Sequence, residues 1–175
     1  MANIAGIPEV IHDFNLYTAG SRLVGITGEV VLPDFEAMTE TISGAGILGE
    51  IDASVIGRFG SMEIEIPFRV TNKDYFDMID PTQPADLTLR AAQQYQVKTT
   101  QAVDWMGMRV VVRGQIKKLS LGTVKQGGAM EASITVEITY IMIELDGKEK
   151  LLLDKINPNY RVNGKDKLQK VRQLT

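Results

Sequence analysis

From Glu131 to Tyr140 the chain alternates apolar and polar with a period of two. Ala132, Ile134, Val136, Ile138 and Tyr140 line one side, while Glu131, Ser133, Thr135, Glu137 and Thr139 line the other. A period of two is a strand signature, because successive side chains leave a pleated backbone on opposite faces. After Tyr140 the pattern inverts, with Ile141, Ile143 and Leu145 apolar on the formerly polar side. Two explanations stay open: a bulge near Tyr140–Ile141 that re-aims the side chains, or a last third covered on both faces. Asp146-Gly147 then offers the dipeptide preferred in tight hairpin turns, and Lys148 to Ile156 reads as the returning strand.

The same period recurs elsewhere. Met62, Ile64, Ile66 and Phe68 oppose Glu63 and Glu65; Leu87, Leu89, Ala91, Tyr95 and Val97 alternate with polar partners; so do Met108, Val110, Val112 and Ile116. Phe14–Tyr17, Arg22–Ile26 and Glu29–Leu32 read as shorter strands, with Ala19-Gly20-Ser21 and Thr27-Gly28 between them. Pro67 lacks the N–H a central strand needs, so its strand belongs at an edge or a bulge. One helix is predicted: Asn72 caps it, Asp74 suits its first turn, Tyr75, Phe76, Met78 and Ile79 form its stripe, and Asp80-Pro81 ends it. A basic segment after Asn163-Gly164 reads as a short helix or strand. The expected class is mainly β: an antiparallel barrel or sandwich with one flanking helix, in a single domain spanning 1–175.

Residues 36–60 fit neither period and read as a long Gly-rich loop, yet they carry Ile47, Leu48, Ile51, Val55, Ile56 and Phe59. A solvated loop rarely carries so many apolar side chains. Either it folds back over its own barrel or a neighbouring subunit covers it.

Composition removes much chemistry. The chain has no Cys and a single His, His12, which excludes disulfides, thiolate metal sites and multi-His centres. Its net charge of −3 argues against holding nucleic acid on a basic stripe. The charge is uneven: residues 146–175 hold eight basic and four acidic side chains (+4), against 11 and 18 (−7) in residues 1–145. Opposed charge on parts of one chain suits packing between copies. No run approaches the length of a membrane span, and Met1 to Pro8 lacks the pattern of a secretory signal, so a cytoplasmic origin is expected.

Three apparent motifs have plainer readings. Gly44-Ala45-Gly46-Ile47-Leu48-Gly49 matches the dinucleotide fingerprint, but polar residues precede it where a buried strand is required. His12 and Asp13 are adjacent on a strand and point apart, so a general-base pair is poorly placed. Glu63 and Glu65 share a face as paired acids would, without the aromatic subsites a sugar needs; Trp105 is the only Trp. No cofactor or metal is implied.

In order and spacing, Arg113-Gly114-Gln115, Lys125-Gln126-Gly127, the strand ending at Tyr140, Leu145-Asp146-Gly147-Lys148-Glu149, Asp154, Ile156-Asn157 and Val162-Asn163-Gly164 make a familiar set. With Gly44-Ala45-Gly46, they resemble the major tail tube proteins of contractile-tailed phages, in the P2-like branch that includes phage-tail-like bacteriocins. The resemblance spans residues 14–172 and is strongest over 109–166.

It implies a structural protein without a catalytic role, whose hexameric rings close a continuous inner β-barrel and stack into a rigid tube. The implied partners are other copies of the chain, a tail sheath protein outside, a tape-measure protein in the lumen and DNA in transit. The implied location is a virion or tail-like particle assembled in a bacterial host. The long loop would reach a neighbour through Gly44, Ala45, Gly46, Ile47, Leu48, Ile51, Val55 and Phe59. The polar side of 131–139 (Glu131, Ser133, Thr135, Glu137, Thr139) is expected to line the lumen as an acidic, hydroxyl-rich surface without a basic residue. The alternatives are a type VI secretion-type tube, a monomeric small-ligand barrel, and an enzyme using Glu63, Glu65 and tyrosines.

Overall fold

The computed structural model describes residues 6–18, 20–26 and 28–175; Met1–Ala5, part of an N-terminal arm expected over residues 1–13, and Ala19 and Thr27 of two expected turns lie outside the described residues. The strands are β1 (Gly6–Thr18), β2 (Ser21–Arg22), β3 (Ala37–Ser43), β4 (Glu50–Phe59), β5 (Glu63–Phe68), β6 (Ala85–Val97), β7 (Val103–Ser120), β8 (Ala132–Leu145), β9 (Lys148–Asp154), β10 (Asn159–Val162) and β11 (Lys165–Asp166). Helices α1 (Lys73–Met78) and α2 (Gln169–Leu174) complete the elements.

One antiparallel sheet runs β11-β10-β9-β8-β7-β6-β1-β2, with β5 also paired to β8; β3 and β4 form a separate two-stranded sheet. The class is mainly β, and no closed barrel forms among the described residues. Pro67 lies on β5, an edge strand whose one ladder is with β8, where a residue without an N–H is tolerated.

The inversion in β8 is a bulge. Gly114 faces Ile138 and Arg113 faces Tyr140, which leaves Thr139 as the extra residue. One inserted residue changes the parity, so Ile134, Val136, Ile138 and then Ile141 all reach the same core at 1% exposure or less. A second shift makes Lys117 the extra residue of β7, between Ile116 and Lys118. The Asp146-Gly147 turn has φ of 51° and 69°, the left-handed pair of a type I′ hairpin.

The core draws on Ile64, Ile66 and Phe68 of β5, Leu87 and Leu89 of β6, Val110 and Val112 of β7, and the apolar side of β8. Helix α1 closes one end of it. Asn72 Oδ1 accepts the Tyr75 N–H at 3.0 Å, while its amide donates to the Val24 carbonyl at 2.9 Å. Tyr75 is fully buried, edge-on to Phe68 at 5.4 Å, with its hydroxyl donating to the Ser120 carbonyl. Burial of each such ring contributes about 1.5–3 kcal/mol.

Two expectations need correction. Residues 36–60 are not an aperiodic loop: they form the β3–β4 hairpin, with a Gly-rich tip. Glu29–Leu32 is not a strand; in the stretch after β2 the ladder is reduced to a single bridge, Ile26 to Phe68. The basic segment after Asn163-Gly164, expected as a short helix or strand, forms the two-residue β11 and the short α2.

Candidate assembly surfaces

The hairpin is rooted in aromatic contacts and bare beyond them. Phe59 stands edge-on to Phe35 (5.9 Å) and Tyr160 (5.3 Å), which fixes the base against the body. Past that base, cross-strand register sorts the side chains. Ile42 faces Ile51 and Glu40 faces Ala53, so Met38, Ile42, Ile51 and Val55 share one face. Thr39, Thr41 and Ser43 share the other with Ser54, Asp52 and Glu50, and Thr41 Oγ1 donates to Asp52 at 2.7 Å. A two-stranded ribbon needs something against its apolar face to be stable. Here Met38, Ile42, Ile51 and Val55 remain 41–56% exposed.

The tip bends through Gly44, Gly46 and Gly49, all with positive φ, and the Ile47 N–H donates to the Gly44 carbonyl at 3.1 Å. Ala45 is exposed and Ile47 half-buried, while Leu48 projects with its whole side chain in solvent. Strand β4 follows this tip rather than a helix, so no helix N-terminus faces the glycines and the dinucleotide geometry is not met. Of the eight residues proposed for contact, Leu48, Ile51 and Val55 present apolar surface and Ile47 is half-buried. Gly44, Ala45 and Gly46 shape the turn, and Phe59 serves as the root.

The polar side of β8 is a mixed-charge face. Ser133 and Thr135 are buried between neighbouring strands, Thr139 is the bulge residue donating to the Arg113 carbonyl, and Glu131 (φ 56°) precedes the strand. Glu137 carries the electrostatics. Its carboxylate accepts from Ser61 Oγ at 2.7 Å, from the Met62 N–H at 3.3 Å and from Lys117 Nζ at 3.4 Å; Lys117 also bonds Glu63. Lys117, extruded by its bulge on β7, brings a cation beside this face from the neighbouring strand, although positions 131–139 themselves hold no basic residue.

Burial pushes the Glu137 carboxyl up, but the three donors together outweigh it and hold it below its ordinary 4.5. With a depressed folded value, the stabilisation is complete above 4.5 and fades as pH falls through the folded value. Acidification into the carboxylate range is therefore expected to lower the melting temperature of the wild type more steeply than that of Glu137→Gln. Parallel acid slopes in thermal melts would contradict this.

His12 packs edge-on to Trp105 at 6.4 Å and Asp13 accepts its neighbour Phe14's N–H at 2.8 Å, so they do not act together. Glu63 is tied to Lys117 and does not pair with Glu65 as a second acid. Among the described residues no cluster of three His, Cys, Asp or Glu could hold a metal, and no helix is long and apolar enough to cross a membrane.

The third surface is an edge. From Gly6 to Asn15, β1 pairs with β6 on one side, and no described strand lies on the other; β2 reaches only Tyr17 and Thr18. A long uncovered edge is a template for another chain. A one-sided apolar hairpin and an open strand edge on one chain are what a polymer subunit requires.

The family profile described as phage tail tube protein FII matches residues 8–174. The chain belongs to that family. It is similar to the tail tube protein of Escherichia phage P2, 29% identical over 169 residues that cover 95% of this chain and 96% of the relative. It is also similar to the major tail tube protein of Serratia phage KSP20, 26% identical over 160 residues covering 91% of each. A phage tail tube protein is a structural component of the virion and not an enzyme, and its family assembles with itself into a tube. The chain shows one feature that its sequence does not announce, the Lys117 bridge. Its partner Glu63 lies 54 residues away, so no local pattern announces it.

Proposed function

We propose that the chain polymerises as stacked hexameric rings into the rigid inner tube of a contractile phage tail or tail-like bacteriocin. The hollow core of this tube carries DNA or ions toward the target cell. The observation that carries this reading is the apolar face of the β3–β4 hairpin, which the protomer leaves in solvent from Met38 to Val55. Docked on a neighbouring copy, that face becomes buried and the ribbon gains the support it lacks alone. Lateral contacts in such a ring are heterologous, one surface meeting a different one, and they close when the rotation closes.

In this arrangement the side of β8 that carries Glu137, with Lys117 and Glu63 beside it, faces the channel, and Ser133 and Thr135 lie buried on the same side. The sheath grips the outer wall and a tape-measure protein occupies the lumen during assembly. Purified protein, examined by size-exclusion chromatography and negative-stain microscopy, is expected to give rings or hollow tubes. A monodisperse monomer at high concentration would overturn the reading, and an assembled tube with Glu137 on its outer wall would overturn the channel assignment.

A further inference from the structure

On the core side of the large sheet, the packing thins toward one end of β1, β6 and β7. Leu16, Leu89 and Val110 form a buried register row, and Phe14, Ala91 and Met108 form the next. Past that row the bulge at His12 lets Ile11 follow Phe14 on the same side, where it is 52% exposed. Val30 and Leu32, from the stretch after β2, stand across from these strands and leave an open pocket of about 400 Å³ between. Its walls are apolar: Ile11, Phe14, Leu89 and Met108 on the sheet, Val30 and Leu32 opposite. The volume is that of a binding site. Elsewhere the chain holds out a side chain of matching chemistry. Leu48 stands on the glycine turn of the β3–β4 hairpin wholly in solvent, so it does not fill the pocket of its own copy. The hairpin is rooted through Phe59 on Tyr160 of β10, toward the opposite margin of the sheet from β1. Seven residues of β3, at about 3.3 Å each, carry the tip roughly 20 Å from that root, far enough to cross onto an adjoining copy.

We infer that the pocket between β1 and residues 28–32 is the seat for Leu48 of a neighbouring copy. The occupant is a second copy of this chain for three reasons. The family assembles with itself into a tube. The apolar tip and the apolar pocket lie toward opposite margins of one sheet, so each copy offers one and receives the other. The pocket is also continuous with the β1 edge that no described strand covers, since Ile11 and Phe14 belong to both. Tip into pocket is a heterologous contact, which repeats from copy to copy. This rests on the assembly proposed above and adds its receiving site.

The test is disulfide trapping between chains, which has no background because the sequence contains no Cys. L48C chains are mixed 1:1 with I11C chains, assembled and oxidised; a second mixture pairs L48C with L32C. All three positions are exposed, so the substitutions spare the fold. A disulfide forms only where the two backbones come within several ångströms, so cross-linked heterodimers are expected from both mixtures. The control is L48C with V124C, an exposed position past the end of β7 remote from Met108, and it should give far fewer. Assembled mixtures in which neither wall position cross-links overturn the inference, and so do equal yields from the control. L48A provides a second measurement. Its assembly threshold should rise about tenfold or more, while L48M assembles near the wild type. An L48A chain that assembles as the wild type does overturns the seat and leaves the pocket to a small apolar ligand. Failure of the wild type itself to assemble would overturn the ring reading instead.

Discussion

Replacing Ile42, Leu48 and Ile51 together with Ser abolishes tube formation and leaves a folded monomer. These side chains are 45%, 108% and 56% exposed, so the protomer loses little by their removal. Substitutions at such exposed positions usually stay within about 0.5 kcal/mol each. A docked hairpin, by contrast, loses about 1.5–3 kcal/mol for a fully exposed apolar side chain such as Leu48 and about half of that for each of the half-exposed Ile42 and Ile51. Together they amount to roughly 3–6 kcal/mol per contact, and about 4 kcal/mol already weakens association a thousandfold. Sedimentation velocity and thermal melting separate the two effects. The variant should sediment as a monomer and melt near the wild type; normal tubes from it would remove the hairpin from the assembly account.

The second large effect is internal. Gly114→Ala is expected to destabilise the protomer by about 3 kcal/mol or more and to leave much of it insoluble. Gly114 sits beside the Thr139 bulge, where β8 presses its backbone onto β7. A Cβ there would stand 1.9 Å from the Glu137 carbonyl oxygen, which no side-chain rearrangement relieves. Gly107 is the internal control: it also lies on β7, but a Cβ there would meet nothing within 4 Å. Gly107→Ala should melt close to the wild type. If the two variants melt together, the close approach at the bulge is wrong.

What the sequence made legible is what short-range physics decides. Period-two alternation marked β5 to β8, the Asp146-Gly147 turn followed from left-handed φ preferences, and Asn72 as cap followed from its spacing to Tyr75. The parity change after Tyr140 is legible in the sequence, but its two explanations, a bulge or cover on both faces, are separated only by the strand pairing, which puts a bulge at Thr139. The hairpin was missed although a weak signal existed: Met38 and Ile42 alternate with Thr39, Thr41 and Ser43, and Ile51 and Val55 with Asp52 and Ser54. Glu40 on the apolar side and Gly57 (φ 78°) near the base broke that pattern. The pocket beside β1 was hidden for a different reason. Phe14, Leu89 and Met108 become neighbours only through strand pairing, which local spacing does not specify. The uneven charge of the two chain segments hinted at opposition between copies without saying where it would sit.

The central claim is that the lone protomer leaves surfaces which sister copies complete. Helical reconstruction of the assembled protein by electron cryomicroscopy addresses it most directly. The account predicts a hollow wall in which the Met38–Val55 face is covered by a neighbouring copy and the open side of β1 lies against another chain. A tube whose hairpins stand free in solvent, with that strand edge still bare, would contradict it.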